Sequence, residues 1–160
     1  MINNQADKKD DQQGSWVDII PLVLSFFGAM VSFSGAILTY LTQAQNPKAS
    51  LWPLPGLVLI DWVLIGLVGF IPTYYCFRRI STKWLHVAWL ITGTFIPLII
   101  LGAFSIGAGV LIAFIMFVVS TIMITIRQRG KLLASFGLLM VGSICNLGVL
   151  LILITLSYQS

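Results

Sequence analysis

The apolar run "LVLIDWVLIGLVGF", residues 57–70, holds one carboxylate, Asp61. The chain's other acids, Asp7, Asp10, Asp11 and Asp18, all fall in its first 18 residues, and there is no Glu. A carboxylate inside an apolar segment can bind a cation, carry a proton, or accept hydrogen bonds from its neighbours. The first two tasks need helpers, and helpers are scarce. Asn146 lies in the last apolar run, and its amide must face protein, because in lipid it would lose its hydrogen bonds. His86 is the single histidine, and a lone interfacial His is read as only that. Cys76 and Cys145 are read as small apolar side chains, set at different depths and so not a disulfide pair. A metal centre needs three or four converging His, Cys, Asp or Glu ligands, and too few stand at compatible positions. An intramembrane aspartyl protease needs two membrane Asp residues. No nucleophile elbow, phosphate-cradling loop or dinucleotide fingerprint is present. No cofactor, metal or catalytic residue is therefore expected, and no enzymatic activity.

The elements that carry these residues follow from composition. The chain has 160 residues, 58% hydrophobic and 9% charged, with a mean hydropathy of +0.99. A soluble domain carries about 25% charged residues, so this chain has too few to cover its surface, and lipid must be its solvent. Five stretches reach the ~20 apolar residues that a hydrocarbon core requires: 19–41, 57–77, 84–104, 106–126 and 132–156. Each must be helical, since lipid offers no partner to an unpaired backbone group. The division between the third and fourth rests on "LGAFSIGAG", residues 101–109, whose glycines permit a tight reversal. Residues 1–18 are polar and aperiodic and read as a flexible tail, with a helix start expected at Ser15 or Asp18. They do not read as a signal peptide. Residues 157–160 form a short end.

Orientation comes from Lys and Arg. "RRISTK" (78–83) and "RQRGK" (127–131) hold three each, the tail holds Lys8 and Lys9, and the connection 42–56 holds only Lys48. Five spans put eight basic residues on one side and one on the other, so the basic side is expected to face the cytoplasm. Trp16, Tyr74, Tyr75 and Trp84 would anchor that boundary, and Tyr40, Trp52 and Tyr158 the outer one. The net charge of +4 then reflects topology, and nucleic acid is not an expected partner. Three charges per loop fall short of a polybasic cluster for anionic headgroups.

Asp61 lies four residues into the second span, roughly 6 Å below the boundary at ~1.5 Å per residue, a shallow position where a charge costs less than at the bilayer centre. Three readings stand open. It is a structural acceptor bonded to Thr39, Tyr40, Ser105 or Tyr158 or paired with Lys48; or a cation or proton site, with Asn146 deeper along a path; or part of a contact with a partner. Ser25, Gly28, Ser32, Gly35 and Thr39 recur at +3, +4, +3 and +4, a small-residue stripe that lets two helices approach closely. Ser135, Gly142 and Asn146 share a face of the fifth span. Ser120, Thr121 and Thr125 can bond their own helix carbonyls and carry little weight. The expectation is an all-α bundle of five transmembrane helices in the plasma (bacterial inner) membrane, N-terminus cytoplasmic and C-terminus outside. Its expected role is a structural or accessory subunit that contacts the bilayer and, through its helices, itself or other subunits. The alternative is a small transporter or channel protomer using Asp61.

Overall fold

The computed structural model describes residues 4–45, 54–78, 82–102, 107–129 and 132–157, with side chains over 19–45, 56–78, 82–102, 108–129 and 132–157. They form five helices: α1 (Asn4–Ala44), α2 (Leu54–Arg78), α3 (Thr82–Gly102), α4 (Gly107–Arg127) and α5 (Leu132–Ser157). All five are long and apolar enough to cross a membrane, over Ile19–Ala44, Gly56–Arg78, Thr82–Gly102, Ala108–Arg127 and Leu132–Ser157. The third and fourth stretches are separate helices: α3 ends at Gly102 and α4 begins at Gly107. One boundary moves. The helix passes through Ser15 and Asp18 and starts at Asn4, where a flexible tail is expected. Gln5, Ala6, Lys8, Lys9, Gln12 and Gln13 are good helix formers, and adding turns to an existing long helix avoids the cost of nucleation. The connections 46–53, 79–81 and 103–106, residues 130–131, and the end 158–160 lie outside the described residues.

Four helices make a diamond, with α1 and α3 at opposite corners and α2 and α4 between them; α5 packs on the far side of α3. Between helices in lipid there is little hydrophobic drive, so close packing of small residues must hold them. Here the small residues form notches, and aromatic rings fill them. Phe117 of α4 lies so close to Gly28 of α1 and Gly69 of α2 that an added methyl would meet its ring at 3.1 and 3.0 Å. The same ring stacks on Phe95 of α3, centroids 5.3 Å apart. One side chain thus touches all the other helices of the diamond. Trp62 of α2 enters a second notch, between Gly35 of α1 and Gly109 of α4. Ser32 faces Gly66 between these two plugs. The small-residue stripe of α1 is therefore occupied from within the chain.

The α3–α5 joint is closer still. A methyl on Gly93 would fall on the carbonyl oxygen of Leu139, and one on Gly142 on that of Leu90. Backbone lies against backbone, which only glycine allows. The α4 end is less relaxed: Arg129, at φ 51°, takes the left-handed position that closes the helix, with its N–H on the Ile126 carbonyl at 3.1 Å.

Gly93→Ala and Gly142→Ala should each destabilise the bundle by about 1–3 kcal/mol, the usual cost of overpacking, seen as a lower melting temperature in detergent. Gly137→Ala and Gly148→Ala should not, because an added methyl there meets nothing within 4 Å. Arg129→Gly should raise the melting temperature by relieving about 1 kcal/mol of left-handed strain.

Candidate functional site: a polar node joining α2, α3 and α5

Asp61 and Asn146 meet. The Asn146 side-chain amide lies against the Asp61 carboxyl, close enough to interact with it, and its Nδ2 donates to the Thr94 carbonyl of α3 at 2.8 Å. Asn146 is buried, Asp61 half-buried. Three helices are thus tied through one amide. Asp61 Oδ2, although buried, makes no hydrogen bond.

The sequence placed Asp61 shallow and Asn146 deeper. Helix α2 begins at Leu54, three residues before the expected start, with Pro55 in the first turn where no intrahelical donor is lost. Asp61 is then seven residues in, about 10 Å along the axis. Asn146 lies eleven residues from the end of α5, and the packing of α2 against α5 brings the two level. Thr39 bonds its own helix at Gly35 O, 2.8 Å; Lys48, Ser105 and Tyr158 lie outside the described residues. The α3 carbonyl that Asn146 grips stands one turn before Pro97, which lacks the N–H that would pair with Gly93.

On α5, Ser135, Gly142 and Asn146 are buried together with Leu139 and Leu150, all on the side that meets α3. On α1, Ser25 is buried and bonds the Leu22 carbonyl at 3.1 Å, while Ser32 Oγ is buried without a partner. His86 is exposed; Cys76 is buried and Cys145 exposed, both free thiols. Among the described residues no three His, Cys, Asp or Glu gather to hold a metal.

Sequence reasoning undervalued a second polar set, nearer the basic end. Thr121 and Thr125 do bond their own helix, to the Phe117 and Thr121 carbonyls at 2.6 and 2.7 Å. Thr125 Oγ1 also accepts the Trp89 Nε1 proton at 2.8 Å, and the Thr92 and Thr121 hydroxyls lie 3.3 Å apart. Ser120 reaches across to the Pro21 carbonyl at 2.7 Å. The available signal was Trp89: a buried indole N–H needs an acceptor, and α4 offers a hydroxyl every turn.

This is an all-helical chain with five helices long and apolar enough to make a multi-span membrane bundle. Compared with protein-family models, curated proteins and solved structures, it matches none.

Asn146→Leu should cost about 0.6–1.7 kcal/mol, the range for interhelical hydrogen bonds in membranes. Asp61→Asn should cost little, since an amide can still pair with Asn146. A double-mutant cycle with Asp61→Leu and Asn146→Leu, read from melting temperatures, should give a combined loss smaller than the sum of the two.

Proposed function

We propose that this chain is a multi-pass plasma-membrane protein, N-terminus cytoplasmic and C-terminus outside, acting as a structural or accessory subunit through its lateral helix surface and without catalysis. The orientation draws support from the basic residues: Arg78, Lys83, Arg127 and Arg129 belong to the ends of α2, α3 and α4 that share one side of the bundle, the arrangement the positive-inside rule assigns to the cytoplasm. Asp61 is, in this reading, a structural tie.

The observation that carries the subunit role is the open side of α5. Half of the most apolar stretch of α3 is buried, 50%, against 22% in α5. Gly137 and Gly148 have nothing within 4 Å where a side chain would stand. They are eleven residues apart, within about 20° of each other around the helix, and the exposed Val141, Ile144 and Leu151 lie along the same side. The glycines of α1 are filled from inside the chain, so a partner helix would find its close approach on α5.

If so, Gly137→Leu and Gly148→Leu leave the melting temperature unchanged and abolish self-association or co-purification in mild detergent. Unchanged assembly in the double variant overturns the role. A second reading, a transporter or channel protomer using Asp61, draws on the unpaired Oδ2 atom. It requires Asp61→Asn to abolish a proton- or cation-dependent flux in proteoliposomes, and normal flux in that variant rejects it.

A further inference from the structure

The cleft between α1 and α2 opens outward at both ends, and the two ends differ. Towards the α1 C-terminus, a groove of about 480 Å³ is lined by residues including Ala36, Tyr40, Leu59 and Val63, with no cation among them. Towards the basic end, a groove of about 340 Å³ is lined by Leu22, Val23, Phe26, Phe27 and Phe70. From this second groove a line of rings climbs α2. Phe26 meets Phe70 at 6.0 Å, Phe70 meets Tyr74 at 6.3 Å, and the Arg78 guanidinium rests over the Tyr74 ring at 5.5 Å. Phe70, Tyr74 and Arg78 follow at i, i+4 and i+8, so one face of α2 carries them over about 12 Å. Alongside, Tyr75 stacks on Trp84 of α3 at 4.5 Å and 10°, the amphipathic pairing expected at a headgroup boundary.

We propose that this groove binds one anionic phospholipid, its acyl chain against Phe26, Phe27 and Phe70 and its phosphate on Arg78. The charge count of the loops does not require such a site; the ordering of the parts along one helix face does. An apolar trough is followed one turn later by an amphipathic phenol, and one turn after that by a planar cation with donors for phosphate oxygens. The ring beneath Arg78 holds the guanidinium at the mouth of the trough, which reduces the ordering cost of meeting the headgroup.

The test is native mass spectrometry of the full chain in mild detergent with phosphatidylglycerol or phosphatidylcholine added. Wild type should retain the anionic lipid about fivefold over the zwitterionic one, the scale of one basic contact at an anionic headgroup. Arg78→Gln should bring the two to parity, while Arg129→Gln, the same charge loss on the other basic loop, should leave the preference intact. Equal retention of both lipids by wild type, or an equal loss in Arg129→Gln, overturns the site. Should Arg78→Gln yield no folded protein, Phe26→Trp decides: filling the trough must cut phosphatidylglycerol retention at least twofold, and unchanged retention overturns the proposal.

Discussion

A helix in lipid satisfies its own backbone and gains almost nothing from burying a Leu against another helix, because the acyl chains it leaves behind are as apolar as the helix it joins. What remains is contact density, and contact density depends on how near two backbones can come. This chain solves that problem in two ways. In the diamond of α1–α4, glycines open notches that two large rings occupy, Phe117 against Gly28 and Gly69, Trp62 against Gly35 and Gly109. An aromatic ring brings 150–250 Å² of surface to a contact, so one plug can hold three or four helices. At α3–α5 nothing is inserted, and Gly93 and Gly142 let each helix touch the other's carbonyls.

The polar side chains are spent on register more than on strength. Most hydroxyls bond a carbonyl of their own helix, as Ser34, Thr39, Thr73 and Thr155 do, and such bonds are neutral towards which helix lies alongside. A few cross between helices: Trp89 to Thr125, Ser120 to Pro21, Asn146 to Thr94. At under about 1 kcal/mol each on average these do not hold the bundle together. They do forbid sliding, since a one-turn shift would strand the Trp89 and Asn146 donors in an apolar interior, where an unmet polar group costs more than the bond contributes.

Much of the architecture could be read from residue order, and the reason is the solvent. Lipid forces helices of a minimum length, so apolar run lengths fix their number, and the glycines of 101–109 mark where α3 gives way to α4. The stripe on α1 was visible as spacing. Its occupant was not, because Phe117 and Trp62 are single aromatic residues among many, and only the fold selects which ring meets which glycine. Gly93 escaped notice for the same reason: it has no repeat partner on α3, and its role depends on Leu139, a residue of another helix. The pairing of Asp61 with Asn146 was missed through depth. Counting along α2 alone gives no height for Asn146 on α5, and only the packing of the two helices sets them level. The N-terminal segment is helical from Asn4. Its lack of apolar periodicity argues against burial, but a helix that is already nucleated can run on through polar formers without burying anything.

The bundle is not equally firm throughout. α1 to α4 share plugs that each span several helices, so none can leave without opening a cavity in the others. α5 has no such plug. It is held along one side, by the glycine crossing, by Asn146 one turn beyond, by Phe136 against Trp89 and by the buried Leu139 and Leu150, and its outward side is open. α5 therefore depends chiefly on α3 for its place in the bundle. The donor that Asp61 uses sits on α5 and is anchored to α3. Any parting of α5 from α3 therefore does two things together: it bares the Gly93–Gly142 seam and takes from Asp61 the only side-chain partner it has among the described residues. Whatever seats itself against α5 would restrain both, which makes the α3–α5 joint, more than the carboxylate alone, the place where this chain's surroundings can reach its one intramembrane acid.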